Sequence, residues 1–130
     1  MTIDTSAILA VLTNEPHKQA LVRLTEGAEL IAPQSVHWEV GHALSAMFRR
    51  GRISLEQALA CLKSYRLIPL RYVEVPLERA VEVAHRHGMY AYDAYLIVCA
   101  QQFGGHLLTL DSGLRQVAAK EGVLVLEVTP

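Results

Sequence analysis

Short apolar runs of the kind that form buried β-strands alternate along the whole chain with longer segments that carry the 3.6-residue period of amphipathic helices. We count about five strands and seven helices, with no repeat, linker or low-complexity segment between them. Strands that alternate with helices predict a mostly parallel central sheet covered on both faces, which is a three-layer α/β/α domain. The predicted strands cover residues 2–4, 29–32, 68–75, 106–110 and 123–128.

The length of 130 residues is typical of one domain, so we expect residues 1–130 to fold as a unit. A hydrophobic content of 52% with only 19% charged residues excludes a disordered tail and favours a compact protein. The formal net charge of -1 provides no global basic field, so any binding of nucleic acid must be local.

The apolar segments are too short to cross a membrane. The best candidate, residues 95–100, is far below the roughly 18 residues that a span requires. The apolar start, residues 3–12, contains Asp4 and follows no basic residue, unlike a secretory signal. Cys61 and Cys99 lie in apolar helical stretches outside any metal-binding pattern and are expected to be free buried thiols. We therefore expect a cytoplasmic protein.

Aspartates are rare in this chain and are placed in an informative way. Of 13 acidic residues only Asp4, Asp93 and Asp111 are aspartates. Asp4 and Asp111 each close a predicted strand directly before a helix. Since the carboxyl ends of parallel strands meet at one edge of a sheet, both side chains should emerge at that edge.

Two further carboxylates can reach the same edge from helices. Asp93 opens a predicted helix, residues 92–103, that is apolar nearly all the way round and therefore central. A carboxylate facing a core needs a partner, and a metal ion would supply one. Glu39 lies on the flank of the apolar stripe of another helix, and the remaining glutamates, Glu121 among them, resemble first-turn or solvated helix charges.

Helix capping is the simpler explanation for each aspartate alone, because Asp is a favoured N-cap and all three precede or open helices. Capping does not predict two strand-end aspartates together with a third on a buried helix. It also does not account for Glu39.

Four short motifs give the chain a recognisable pattern, although each is weak alone. They are Ile3-Asp4-Thr5-Ser6, the run from Glu39 to Leu44, Tyr92-Asp93-Ala94-Tyr95 and Thr109-Leu110-Asp111. In order, spacing and total length the chain resembles the VapC-type PIN-domain toxins of type II toxin–antitoxin systems. The resemblance covers essentially the whole length and implies a PIN fold with a parallel sheet flanked by helices.

The resemblance also implies a site and a function. Asp4, Glu39, Asp93 and Asp111 match the family's acidic quartet, with Ser6 and Thr109 as supporting hydroxyls. Similar proteins are endoribonucleases that cleave RNA, often structured RNA such as tRNA, and are inhibited by a cognate VapB-type antitoxin. Many apolar helical faces on a short chain further favour a homodimer.

The donor set indicates which metal would bind. Clustered carboxylates without cysteine or paired histidines select a hard cation, so Mg²⁺ is expected and Mn²⁺ is an alternative. We expect Asp4 and Asp93 to be direct ligands, with Asp111 and Glu39 completing the site directly or through water. Such a metal activates water for attack on the phosphodiester, which makes the protein a hydrolase.

Other candidate residues are less specific. Arg49, Arg50 and Arg52 form the densest basic cluster, which suits either phosphate contact or favourable charge at a helix end. His42 stands where many relatives that this chain resembles have asparagine, and either a general base or a surface or packing histidine fits it. His85 and His87, at another helix end, are expected to be exposed.

Two competing functions remain. A phosphatase of the haloacid dehalogenase class also begins with a strand-end aspartate, but Ser6 stands where that class has its second aspartate. The other alternative is a non-catalytic PIN-like module that binds protein or RNA. Retention of all four carboxylates argues against this alternative.

Overall fold

The computed structural model describes all 130 residues, with five strands and seven helices in the predicted alternation. The strands are β1 (Thr2–Ile3), β2 (Leu30–Pro33), β3 (Leu70–Val73), β4 (His106–Leu108) and β5 (Leu124–Val125). The helices are α1 (Thr5–Leu12), α2 (Lys18–Thr25), α3 (Ser35–Arg49), α4 (Leu55–Arg66), α5 (Leu77–His87), α6 (Ala91–Gln102) and α7 (Ser112–Lys120).

The sheet has the strand order β3-β2-β1-β4-β5, and every pairing is parallel. The predicted parallel sheet between two helical layers is therefore confirmed. Strands β2 and β3 are added in sequence on one side of β1, whereas β4 and β5 are added on its other side. The order in which strands are added therefore changes direction between β1 and β4. Crevices at such switch points, beyond the carboxyl ends of the strands, are where α/β proteins bind ligands.

The strands are shorter than their apolar runs predicted, most of all β3 and β5 at the two edges. Residues 68–75 form a strand only over Leu70–Val73, and residues 123–128 only over Leu124–Val125. An edge strand has hydrogen-bonding neighbours on one side alone, so pairing ends where its single neighbour ends. The apolar side chains beyond those limits, such as Ile68 and Val128, still pack on the core.

The helices divide into two layers. Helices α1 to α4 pack against one another, while α5 packs against α6, which crosses β1, β2 and β4. Helix α6 is central as predicted, since Leu96, Ile97, Val98, Cys99 and Ala100 are all buried. The site that this architecture can build therefore receives side chains from both helical layers.

Local chemistry sets several helix limits. Ser54 and Gln57 form a capping box at the start of α4. Helix α5 ends at Gly88, whose left-handed backbone with φ of 62° suits a residue without a Cβ. Both free cysteines are present as thiols, Cys99 buried and Cys61 only partly so. No helix combines the length and apolar character that a membrane crossing requires.

Two expectations about surface charge are wrong. Glu121 is not a solvated helix charge, and His87 is not exposed, because the two side chains pair at 3.0 Å with only 10% and 14% of their surface accessible. Arg86 also binds Glu121, at 2.7 Å. Sequence periodicity within α5 cannot show this contact, since Glu121 comes from the end of α7, 34 residues away from His87.

Candidate active site

Asp4 lies at the switch point of the sheet. Its backbone N–H continues the ladder between β1 and β4 by donating to the carbonyl of Leu108 at 3.2 Å. Asp4 is only 4% exposed, and its carboxylate accepts three hydrogen bonds. Ser6 Oγ donates to Oδ1 at 2.7 Å, the Ala7 N–H donates to Oδ1 at 3.0 Å, and Thr109 Oγ1 donates to Oδ2.

The hydroxyls of Ser6 and Thr109 connect the two strand ends. Besides contacting Asp4, Ser6 Oγ accepts from the Leu110 N–H at 3.0 Å and lies 3.4 Å from Thr109 Oγ1. Thr109 Oγ1 in turn accepts from the Asp111 N–H at 3.0 Å. The loop after β4 is thereby tied to the first turn of α1, and the side chain of Asp4 has little freedom to rotate.

Asp111 and Asp4 both cap helices. The side chain of Asp111 accepts from the Leu114 N–H at 3.0 Å and begins α7, as Asp4 begins α1 through Ala7. The capping explanation is therefore correct for these two residues. Asp111 is nonetheless exposed, so one carboxylate oxygen remains available beyond its capping contact.

The capping explanation is wrong for Asp93. Helix α6 begins at Ala91 after Tyr90 as N-cap, so Asp93 is the third residue of the helix and not its cap. The side chain is half-buried, and no hydrogen bond or ion pair contributes to its ionisation. A first-turn position suits a negative charge through the helix dipole, but it supplies no partner for the carboxylate oxygens.

Glu39 reaches the same region from the opposite helical layer. It lies in the second turn of α3 beside the buried Val36 and Val40, and it is half-buried. Thr5 Oγ1, from the first residue of α1, donates to Glu39 Oε2 at 2.7 Å. Thr5 is a site residue that the sequence analysis missed, although its position directly after Asp4 was a usable signal.

The ionisation of these carboxyl groups is coupled. Burial raises the pKa of Asp4, hydrogen bonds from Thr109, Ser6 and Ala7 oppose that rise, and the charge of Asp111 adds to it. Burial also raises the pKa of Asp93, again with a contribution from Asp111. The two aspartates from β1 and α6 therefore both experience the charge of the residue that follows β4.

Glu39 belongs to the same electrostatic neighbourhood. Burial raises its pKa, the hydrogen bond from Thr5 lowers it, and the charges of Asp93 and Asp4 raise it further. Each member of the quartet therefore interacts with at least one other member. An arrangement in which neighbouring negative charges raise the pKa of Asp4, Asp93 and Glu39, with no basic side chain between them, stores repulsion that a cation can relieve.

The oxygen ligands of the site suit a metal ion, but the carboxylates do not surround one on their own. No group of three or more acidic, histidine or cysteine side chains stands close enough to enclose an ion by itself. Mg²⁺ typically takes one or two carboxylates, keeps several waters and uses substrate phosphates for the rest, so it does not require such an enclosure. The oriented carboxylate of Asp4 and the unpartnered one of Asp93 fit this mode of binding.

The remaining candidates lie around this centre. His42 is exposed, lies one helical turn after Glu39, and lines a surface cleft together with it. Arg49 and Arg50 end α3, and Arg52 follows in the turn; all three are exposed and make no ion pair. At 1.5 Å per residue, the ten residues from Glu39 to Arg49 put the basic cluster about 15 Å along the helix from the carboxylates.

Comparisons with known proteins agree with this architecture. A family model described as PIN domain matches residues 1–120. Ribonuclease VapC3 from Pyrobaculum aerophilum is 33% identical over an alignment of 131 positions, which covers 96% of this chain and 97% of that protein. The crystal structure of PAE2754 from Pyrobaculum aerophilum is similar with a TM-score of 0.71 at 26% identity, over 95% of this chain and 88% of that chain.

The family and fold expected from the sequence motifs are therefore confirmed. The matches extend over nearly all of the chain, and all four motifs lie within residues 1–120. This chain belongs to the VapC-type branch of the PIN-domain family.

Proposed function

We propose that the chain is a Mg²⁺-dependent endoribonuclease and the toxin of a VapBC-type toxin–antitoxin pair. The observation that carries the proposal is the electrostatic contact among the four carboxylates at the switch point of the sheet, where the charge of Asp111 helps to raise the pKa of Asp4 and Asp93, and the charges of Asp93 and Asp4 help to raise the pKa of Glu39. The family and the relative named as a ribonuclease support the same reaction class. Mn²⁺ is a reasonable substitute for Mg²⁺ at an all-oxygen site.

Asp4 and Asp93 are the proposed direct ligands. The chemistry that the cation supplies when bound is a lowered pKa of water and neutralisation of charge on the phosphodiester. Ser6 and Thr109 keep the Asp4 carboxylate in one orientation through the contacts described above. Asp111 completes the acidic set, directly or through water, with the oxygen that capping leaves available.

Glu39 has a separate proposed role at the edge of the set. Its carboxylate is half-buried, oriented by Thr5 and of raised pKa. A carboxylate whose pKa is moved toward neutrality is a better proton acceptor for an attacking water. Glu39 Oε1, which does not bind Thr5, is the atom that we propose takes this proton.

The substrate side of the proposal rests on local charge. Arg49, Arg50 and Arg52 are unpaired with carboxylates and are proposed to contact phosphates of the RNA away from the cleaved bond. Because the acidic centre itself repels phosphate, binding of RNA should need both the cation and these arginines.

Inhibition by a VapB-type antitoxin and homodimerisation are proposed from the family and from the apolar surface. Leu55, Leu59 and Leu67 of the α4 region are more than half exposed, as is Leu77 at the start of α5. Co-purification from the native operon, followed by light scattering, tests both proposals. An active monomer that recruits no protein encoded beside it would contradict them.

The decisive experiment compares cleavage of total RNA by wild type, Asp4→Asn, Asp93→Asn and the control Glu56→Gln. Glu56 is an exposed carboxylate in the first turn of α4. Removing a side chain that hydrogen-bonds to a metal ligand typically lowers metal affinity or activity about 10- to 100-fold. Removing a ligand itself should therefore lower activity at least about 100-fold. The control should cleave normally, and excess chelator should abolish cleavage by all four proteins.

A non-catalytic module is the second candidate, favoured by the lack of three carboxylates close enough to enclose an ion. It predicts that RNA or protein is retained while no RNA is cut at any Mg²⁺ concentration. Full activity of Asp4→Asn or Asp93→Asn would instead contradict the proposed chemistry while leaving the nuclease assignment in place.

A further inference from the structure

A cleft of about 590 Å³ opens beside the carboxylates and is lined by Ser35, Trp38, Glu39, His42 and Tyr92. We call it the Trp38 cleft. Four of its residues share one face of α3, since they are spaced three, four and seven residues apart, and Tyr92 comes from the first turn of α6. Glu39 belongs to the acidic quartet and Tyr92 adjoins Asp93, so the cleft is continuous with the proposed reaction centre.

Two aromatic rings of this cleft are unusually exposed. Trp38 is 76% exposed and Tyr92 is 60% exposed. Trp38 lines a second hollow of about 290 Å³ together with Gln34, His37 and Tyr72, so open space borders its ring on more than one side. Large exposed aromatic side chains next to a reaction centre have no role in the core and are available to a ligand.

Each of the two rings contacts a second aromatic ring. Trp38 meets His37 edge to face with centroids 5.0 Å apart, and His37 Nδ1 is 3.0 Å from the hydroxyl of Tyr65. Tyr92 meets Tyr95 in the same manner at 5.8 Å. A ring that already packs against a neighbouring ring loses less freedom than a free one when a flat ligand stacks on it.

Ser35 supplies an independent sign of a ligand. Its Oγ is buried and has no hydrogen-bond partner in the protein. Buried hydroxyls are normally paired, and Ser35 is a lining residue both of the Trp38 cleft and of a neighbouring hollow of about 450 Å³. A ligand acceptor that displaces the side-chain atoms covering this oxygen would satisfy it.

We propose that the Trp38 cleft receives one unpaired base of the RNA next to the cleaved phosphodiester, stacked on Trp38 with Tyr92 beside it and bonded by the Ser35 hydroxyl. The inference rests on the proposed function and specifies its substrate as RNA that is single-stranded, looped or bulged at the cut. A nucleobase offers a flat face for stacking and edge acceptors for a hydroxyl, whereas a base within a duplex is already stacked and cannot enter.

A protein segment is the less favoured occupant. Three of the five lining side chains are polar, and one of them is a carboxylate of the reaction centre. An apolar anchor from a protein would leave Ser35 Oγ without a partner, whereas a base edge would not.

Intrinsic fluorescence tests the proposal directly, because Trp38 is the single tryptophan of the chain. The full chain is titrated with a labelled single-stranded ten-nucleotide RNA, in Ca²⁺ in place of Mg²⁺ so that bound RNA persists. Anisotropy of the label reports binding, while tryptophan emission reports stacking. We expect quenching that saturates together with the anisotropy, and at least about tenfold weaker quenching by the same strand in a duplex.

Variants separate the cleft from general binding. Tyr92→Leu should weaken single-strand binding about tenfold, while Tyr90→Leu, which changes an exposed tyrosine outside the cleft, should not. In Mg²⁺, Trp38→Leu should raise KM about tenfold with little change in kcat, and Trp38→Phe should restore much of the loss.

RNA that binds without quenching, or equal behaviour of the two tyrosine variants, would overturn the base site. Failure of the RNA to bind at all would overturn it as well. A change in tryptophan emission caused only by an antitoxin would assign the cleft to protein instead. If wild type cleaves RNA but its tryptophan emission is not quenched, the base site is contradicted and the nuclease function stands. If RNA quenches the emission but is never cleaved, the nuclease function is contradicted and the base site stands.

Discussion

The hydroxyl of Thr5 donates a hydrogen bond of 2.7 Å to the carboxylate of Glu39, 34 residues later in the chain. The contact joins the first residue of α1, directly after the Asp4 strand end, to the second turn of α3. It therefore fixes Glu39 relative to Asp4. Without it, the pKa of Glu39 would rise further, because the hydrogen bond opposes burial and the neighbouring negative charges.

The first prediction concerns this contact. Thr5→Val preserves side-chain shape and removes the donor, so we expect cleavage to fall by about tenfold to 100-fold, the equivalent of a hydrogen bond to a charged group worth roughly 1.5 to 3 kcal/mol. The acidic limb of the pH profile should move to higher pH, since Glu39 must lose its proton to accept one.

Thr5→Ser is the matched control, because it retains the hydroxyl and should stay near wild type. The pH profile of kcat/KM for the three proteins is the measurement. A Thr5→Val enzyme with lower activity but an unshifted profile would mean that Thr5 acts through the fold rather than through Glu39.

The second prediction concerns the attacking group. If Asp4 and Asp93 bind the cation that activates water, the RNA 2′-hydroxyl does not attack, and products should carry 5′-phosphate and 3′-hydroxyl ends. A substrate with a single 2′-deoxy nucleotide at the cut should still be cleaved. End-labelling with and without phosphatase treatment reads the ends, and cyclic 2′,3′-phosphates would reassign the nucleophile.

The sequence predicted the fold well because its signals were local. Apolar runs followed by Asp4 and Asp111 locate two strand ends, and parallel pairing brings such ends to one edge. The apolar character of α6 likewise predicted a buried helix. Hydrophobic periodicity could not predict the strand order. That order places β1 beside β4, and the carboxyl ends of these two strands therefore form the switch point of the sheet.

Side-chain contacts between distant elements were not predictable from spacing. The partner of Glu39 comes from α1, and the partner of His87 comes from the end of α7. Trp38 would be read from its neighbours as part of a helix, and only the structure shows that its ring is exposed beside the reaction centre. Such contacts depend on which helical faces meet, which is a property of the whole packing.

The third prediction concerns stability in acid and involves Glu121, far from the reaction centre. The hydrogen bond from His87, followed by Arg86, lowers the pKa of Glu121 despite some opposing burial. A carboxylate with a lowered pKa in the folded state stabilises the protein above its unfolded value of 4.5, and this contribution is lost as pH falls through the folded value.

Glu121→Gln should therefore melt a few degrees below wild type at pH 7, and the difference should vanish in strong acid. Glu127→Gln, which changes an exposed carboxylate without an ion pair, is the control and should melt like wild type at every pH. A deficit of Glu121→Gln that persists unchanged below the folded pKa would show that packing, and not charge, is the cause.

The last prediction uses Asp93 to separate a metal ligand from a structural residue. Burial, together with the charge of Asp111, raises its pKa, so its ionised form destabilises the cation-free protein at neutral pH. That cost is fully present above the folded pKa, declines as pH falls below it, and is gone below the unfolded value of 3.8. Asp93→Asn keeps the shape and removes the charge. Without cation at pH 7, the melting temperature of Asp93→Asn should be no lower than that of wild type. It should be higher if relief of charge repulsion outweighs the lost interaction with the helix dipole, and this difference should decrease in acid.

Glu56→Gln controls for the helix dipole, because it removes a first-turn charge from α4 outside the quartet. Addition of Mg²⁺ at fixed ionic strength should raise the melting temperature of wild type and of Glu56→Gln alike, since ligand binding stabilises the folded state by mass action. The rise should shrink or vanish in Asp93→Asn. An unchanged Mg²⁺ response in that variant would remove Asp93 from the proposed ligands. Because Asp93 is not a helix cap, a lower melting temperature of the variant without cation would indicate that Asp93 has a packing role.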